Sequence, residues 1–362
     1  MTRKQVCRII LFLAVFVVLL VPLTYMLRTN GGVKDRFNGF YAEKRNSLDA
    51  VIIGSSSVFP YYSAPQIFGE TGIVCYPLST NLQRPTAQLY LAKEALGRQK
   101  PQLMIFELRM YTGMEQDMIN NMAYTRGVTD NLRYSVNRLD AIRALLNEDV
   151  REDAGDDDTV PYTYWFDIFK YHGNYRSLRL PSQWMSFLYA RRDPLKGFEG
   201  THEVGPMEPA DRSGVTKVLP VEDVQEKALR DLIAYLQETG QQALFVVSPY
   251  VHDEEAAAKF NYMEEIIAEA GMEFLDLNDH YDALGLVPED FSDYGNHVNV
   301  AGAQKVTHFF ASWLSERYDL PDRRGDDDYD SWLDAYARWL MYLRQEKAAV
   351  EDNIAKENYA QR

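Results

Sequence analysis

The hydrophobic pattern divides this chain into two materials. Residues 9–27 form nineteen consecutive uncharged positions between Arg8 and Arg28 (RIILFLAVFVVLLVPLTYMLR). A helix needs about 20 residues to cross a hydrocarbon core of ~30 Å, so this run can span. Arg3, Lys4 and Arg8 precede it, which places the short N-terminus on the cytoplasmic side. A cleaved signal peptide is the competing reading. The run exceeds an h-region of about 7–15 residues and lacks an A-x-A site after it, so an uncleaved single-pass anchor is expected. The rest of the chain is then extracytoplasmic, at the cell membrane.

Beyond residue 47 the pattern changes to short apolar runs alternating with amphipathic stretches. Residues 50–53 (AVII), 101–108 (PQLMIFEL), 243–248 (ALFVVS) and 272–277 (MEFLDL) read as buried strands. Residues 87–96, 221–238, 260–270 and 301–314 carry helical spacing, and Gly240 ends the second of these. Strands alternating with helices predict an α/β fold, a central parallel sheet in a three-layer α/β/α arrangement. Such sheets bind ligands beyond the carboxyl ends of their strands, which singles out the loops after Ile53, Leu108, Ser248 and Leu277.

The predicted organisation is an anchor at 1–28, a polar stalk at 29–47 and an α/β domain at 48–320. The domain is interrupted at about 110–220 by an insertion rich in Tyr, Trp, Arg and Asp. An acidic linker and an amphipathic C-terminal helix follow at 321–362. In that helix Trp332, Tyr336, Trp339, Leu340 and Leu343 form one stripe. It either docks on the domain or faces a membrane or partner.

Composition adjusts this picture in two ways. The 362 residues carry 38 Lys and Arg against 53 Asp and Glu, a net charge of −15. Residues 1–28 hold four of the basic residues and no acidic one, so residues 29–362 stand at −19. An acidic outer domain argues against nucleic-acid binding. It should repel anionic polymers except at a local basic site, for which Arg84 and Arg109 are the candidates. Cys7 and Cys75 are the two cysteines. They lie on opposite sides of the expected membrane, so Cys75 is read as a small buried apolar residue.

Two segments carry chemistry. Gly54-Ser55-Ser56-Ser57 directly follows a buried strand, where a turn can expose a hydroxyl and aim backbone N–H groups at one point. Asp293-Tyr294-Gly295-Asn296-His297 precedes a helix, and can supply the base and orienting carboxylate that a serine nucleophile needs. Each alone is explained as well by a serine-rich turn or a structural loop histidine. His172 stands among aromatics in the insertion, as a structural or a substrate-contacting residue. His202, His252, His280 and His308 read as surface or helix residues. Asp156–Asp158 and Asp326–Asp328 lack the spacing of a calcium loop and read as solvated acidic faces. No dinucleotide or P-loop fingerprint and no metal-ligand spacing occurs, so no cofactor and no metal are expected.

Together the segments carry a resemblance. IIGSSSV, then FPYYSAPQIF and VCYPLSTNLQRPTAQLYLAKEAL, resembles the first two blocks of the SGNH/GDSL hydrolase superfamily. It is similar above all to the membrane-anchored branch that includes the D-alanyl transfer protein of teichoic-acid modification and alginate-type O-acetylation proteins. SDYGNHVNVAGAQKVT resembles the family's last block, and VVSPY and FLDLND also look familial. The resemblance spans roughly residues 49–320. It implies Ser56 as nucleophile, His297 as base and Asp293 as its orienter. It also implies ester hydrolysis or O-acyl transfer on a cell-surface polymer, with a membrane-bound O-acyltransferase as partner.

Three positions depart from the family pattern. Asp293 lies four residues before His297 where three is usual, which leaves Asp290 in reserve. The loop Ser79-Thr80-Asn81-Leu82-Gln83 lacks the usual glycine, and the third block lacks its asparagine. Oxyanion and substrate candidates are therefore Gly54, Ser79, Asn81 and Arg109. The alternative reading is a catalytically silent scaffold of the same fold that binds glycan or a membrane acyltransferase.

Overall fold

A computed structural model describes residues 1–28, 31–119, 122–146, 162–179, 192–208, 212 and 214–361. The acidic run at 156–158 lies outside these.

The apolar N-terminal run forms helix α1 (Arg3–Leu27), 25 residues long, with Thr2 and Gln5 closing a capping box at its start. Its most apolar window has a mean hydropathy of 2.9 and no buried residue. It is long and apolar enough to cross a membrane.

Helix α2 (Gly32–Ala42) corrects the expectation of a stalk. Its Phe37, Phe40 and Tyr41 are buried against Tyr76 and Leu78 in the main core. The Tyr76 hydroxyl donates to the Arg36 carbonyl at 2.8 Å. Three aromatic residues within five positions outweigh the polar residues between them, so the segment folds onto the domain.

The sheet has five parallel strands: β1 (Ala50–Gly54), β2 (Cys75–Ser79), β3 (Leu103–Glu107), β4 (Ala243–Val247) and β5 (Glu273–Asp276), ordered β2-β1-β3-β4-β5. The period-2 pleat divides their side chains between two apolar clusters. Val51, Ile53, Met104, Phe106 and Phe245 join one, with residues from helices α4 (Thr86–Arg98), α8 (Asp223–Thr239) and α9 (Glu254–Glu269). Ala50, Ile52, Ile105, Leu244 and Val246 join the other, with residues from α3 (Ala64–Thr71), α10 (Val300–Arg317) and α11 (Asp330–Ala355). Burial of both clusters explains why the central strands read as continuous apolar runs. The sequence pattern missed β2, because Pro77 interrupts it. Proline has no N–H to donate and is tolerated at a sheet edge, which is where β2 lies.

The insertion begins with short helices, α5 (Glu115–Ile119), α6 (Met122–Thr129) and α7 (Val136–Leu145), the last packed against α4. Its end, at 192–208, returns to the domain, where Phe198 meets Trp339 edge-on at 4.8 Å. The C-terminal stripe docks on the domain and offers no membrane face through its tryptophans. Trp332 and Trp339 are each 1% exposed, and Trp332 donates to Glu43 at 3.2 Å. Leu340 is the exception, turned to solvent.

Candidate active site

The strand order reverses direction at β1, whose neighbours are β2 on one side and β3 on the other. The crevice beyond the carboxyl ends of such strands is where a doubly connected parallel sheet leaves room for a ligand. Gly54, Ser55, Ser56 and Ser57 turn the chain there. Gly54 is required by packing: a Cβ on it would stand 2.6 Å from Val58 Cγ2 and 2.7 Å from Glu107 Cβ. Its place is structural, between β1 and β3.

The three serines have separate partners. Ser55 is buried, and its hydroxyl accepts from the Gln83 amide at 3.2 Å. Ser57 is buried and its hydroxyl donates to the Glu107 carboxylate. Ser56 is half-buried, and its hydroxyl lies 2.9 Å from His297 Nε2.

His297 and Asp293 come from the loop that leads into α10. The Asp293 carboxylate receives the His297 backbone N–H at 2.5 Å and Nδ1 at 2.6 Å. An ionised carboxylate only accepts, so Nδ1 carries the proton and Nε2 is left as the acceptor facing Ser56. Burial opposes the charge on Asp293. The hydrogen bonds from His297 and the field of Arg109 still hold its carboxyl below the usual value. The Asp293 side chain is 40% exposed and that of His297 29%, so the site opens to solvent.

The four-residue spacing is accommodated by a left-handed turn, with φ of 59° at Tyr294 and 97° at Gly295. Glycine takes this conformation freely. Tyr294 is held in it by its N–H donating to Gly205 O at 2.8 Å and its hydroxyl donating to Ala360 O at 2.6 Å. The reserve residue Asp290 is occupied elsewhere. It is buried, ion-paired with Lys305 at 2.5 Å, and accepts from the Val287 amide at 2.8 Å. Asn299, two residues after His297, caps α10 by accepting from Ala301 and Gly302.

Of the remaining candidates, the structure turns Arg109 to another task. Its guanidinium donates to the Asn296 carbonyl and side chain and stacks on Tyr250, 4.0 Å from the ring centroid. It braces the histidine loop from beneath. Asn81 is exposed and accepts from Arg36 at 3.4 Å. The Ser79 hydroxyl is buried and has no hydrogen-bond partner among the described residues. In the same loop Leu82 takes a φ of 39°, so the left-handed turn exists without glycine. Arg84 is no free basic site either. Its side chain is 3% exposed, ion-paired with Glu115, and donates to the Leu145 carbonyl at 2.7 Å. His172 is exposed and bonds Phe169 O in its own segment, apart from the three residues above.

The sequence reading missed Glu107. It ends β3 fully buried, and its carboxylate gathers the Ser57 hydroxyl with the amides of Ser248 and Arg109. Burial pushes its carboxyl up to about 7 against those bonds. Ser248 completes the support by donating to Ser57 O at 2.7 Å while accepting from the Tyr62 hydroxyl. A carboxylate inside the apolar run MIFEL was the available signal. No family model matches the chain, and no curated protein matches it.

Proposed function

We propose that this chain is a membrane-anchored, extracytoplasmic serine enzyme of the SGNH type. In this reading the sheet is the middle of a three-layer α/β/α domain and α1 crosses the membrane with its N-terminus inside. The enzyme transfers O-acyl groups to, or hydrolyses esters on, a cell-surface polysaccharide or teichoic-acid-like polymer. The observation that carries the reading is the continuous chain Ser56–His297–Asp293, with bonds of 2.9 and 2.6 Å.

His297 removes the Ser56 proton as Oγ attacks an ester or thioester carbonyl. Asp293 stabilises the imidazolium that forms. The oxyanion takes hydrogen bonds from the Ser56 N–H and from the Ser79 hydroxyl, which has no other partner among the described residues. Collapse expels the leaving group, which takes the proton from His297. An acceptor hydroxyl, water or polymer, then gives its proton to His297 and attacks the acyl-enzyme. The exposure of Asp293 and His297 suits an extended acceptor. A multispanning acyltransferase is the proposed donor partner.

The test is fluorophosphonate labelling of the full chain. Wild type should label and Ser56→Ala should not. Absence of labelling in a folded wild type would favour the silent scaffold. Cell-surface O-acyl content in a Ser56→Ala strain then separates the two activities. It falls for a transferase and rises for an esterase.

A further inference from the structure

A cavity lies outside the triad. Its volume is about 490 Å³, and it sits where the end of α1 meets α2 and α6. That volume falls in the range of small-ligand sites, roughly 300–1,000 Å³. Arg28, Lys34, Arg126 and Lys170 line it, with Asp130. Arg36 and Glu199 also line it, and they pair with each other.

At its wall three guanidinium groups share two carboxylates, with Arg138 and Asp167 set behind the lining residues. Arg28 and Arg138 pair with Asp167, while Arg126 and Arg138 approach Asp130 at 3.8 and 3.9 Å. Every one of these side chains is at most 6% exposed. Among the described residues, these three cations face two carboxylates. Arg28 Nη2 and Arg126 Nε are buried with no hydrogen-bond partner among the described residues. Burial and the charge of Arg28 also push the Lys34 ammonium down to about 8. An uncompensated buried cation is costly, and an anion in the cavity relieves it.

We infer that this cavity binds the phosphate of a membrane phospholipid headgroup. The anion chemistry follows from the lining, where Arg28, Lys34, Arg126 and Lys170 face Asp130 once Arg36 and Glu199 are paired, and guanidinium forks match phosphate oxygens. The lipid source follows from position and rests on α1 being membrane-spanning. Arg28 is the residue directly after α1, so the cavity opens at headgroup depth. The cavity shares a wall with the catalytic crevice. Arg36 stacks over Phe59 at 3.9 Å and donates to Ser79 O at 3.1 Å. A bound headgroup therefore sets the distance between the membrane surface and Ser56.

The experiment uses the full chain in neutral detergent, titrated with dioctanoyl phosphatidylglycerol, dioctanoylglycerol and glycerol 1-phosphate. The phosphatidylglycerol should bind saturably, at least tenfold tighter than glycerol 1-phosphate, and dioctanoylglycerol should not saturate. Gly127→Glu places a carboxylate in the cavity wall without touching an ion pair, since a Cβ at Gly127 meets nothing within 4 Å. It should weaken phosphatidylglycerol binding at least tenfold, and Gly127→Ala should not. Arg126→Gln should weaken it likewise. Binding indifferent to Gly127→Glu, equal binding of dioctanoylglycerol, or no binding overturns the inference. Glycerol 1-phosphate binding as tightly as the lipid overturns the lipid source. Fluorophosphonate labelling of the same samples reports Ser56 independently, so loss of one result leaves the other standing. Carbonate extraction of membranes tests the anchor separately.

Discussion

The loops on either side of Ser56 are held to different degrees. The histidine loop is tied down along its length. Asn299 N donates to Asp290 O, Ser292 N to His297 O, Tyr294 N to Gly205 O, and the Gly295 carbonyl accepts from Val251. Arg109 and Tyr61 both donate to the Asn296 carbonyl. The loop after β2 is held more sparsely among the described residues: Thr80 N donates to Gly54 O, Gln83 N to Ser55 Oγ, and Arg36 reaches the Ser79 carbonyl and, at 3.4 Å, Asn81 Oδ1. It also carries Leu82 at a φ of 39° and a buried Ser79 hydroxyl with no hydrogen-bond partner among the described residues. A non-glycine residue in that conformation costs on the order of 1–3 kcal/mol. The contrast has a chemical logic. On the proposed reading His297 is the general base, and the bonds of its loop keep its Nε2 2.9 Å from the Ser56 hydroxyl in the resting state. A donor for an oxyanion must stay unfilled until charge develops.

Substitutions at each loop test this division. Ser56→Ala or His297→Ala should lower hydrolysis of a chromogenic acetate ester by about 10⁴-fold or more, with the circular dichroism spectrum unchanged. Asp293→Asn should cost about 10²- to 10⁴-fold in the same assay. Asp290→Asn should instead lower the thermal midpoint while activity per folded molecule persists. The reverse pattern would move the orienting role to Asp290. Ser79→Ala should lower kcat by about 10²- to 10³-fold with KM unchanged. An unchanged kcat would remove Ser79 from the oxyanion site and weaken the contrast between the loops.

Glu107 lies beside the serine turn, bonded to Ser57, Ser248 and Arg109, and has its own signature. Its carboxyl titrates near 7 in the fold against an ordinary 4.5. The folded state therefore binds the proton more tightly than the unfolded chain. The associated stability is complete below pH 4.5 and is lost as pH rises through 7. Glu107→Gln should flatten that slope, which amounts to about 3 kcal/mol in wild type by urea denaturation. An identical slope in the variant would place the charge elsewhere. The smallest effect is expected at Arg109. Arg109→Gln loosens the histidine loop without touching the reacting atoms, so activity should fall about tenfold, which is ~1.4 kcal/mol. Arg109→Lys should rescue it only in part, because lysine lacks the fork that reaches both Asn296 oxygens.

Local composition carried most of the architecture. The nineteen uncharged residues before Arg28, four of the five strands and the four long domain helices were legible, because burial on both sheet faces writes continuous apolar runs. The proline-bearing edge strand and the short α3 were not, since neither has a long period to read. The segment at 29–47 was misjudged because its polar residues conceal an aromatic face. Ser56, His297 and Asp293 were singled out by the resemblance their segments carry together, each segment alone being explained as well by a turn or a structural loop. Their meeting could not be derived, since 241 positions separate Ser56 from His297.

The sequence by itself determined the apolar N-terminal segment, the alternation that makes a parallel sheet, and the residue types able to perform acyl chemistry. The tertiary structure decided which of them act together. It paired His297 with Asp293 and gave Asp290 to Lys305. It turned Arg84 and Arg109 into braces, buried Trp332 and Trp339, and gathered an excess of guanidinium beside α1. The physical reason is that charge pairing and hydrogen-bond direction depend on distances between segments far apart in the chain. Periodicity records only which face of its own element a residue occupies.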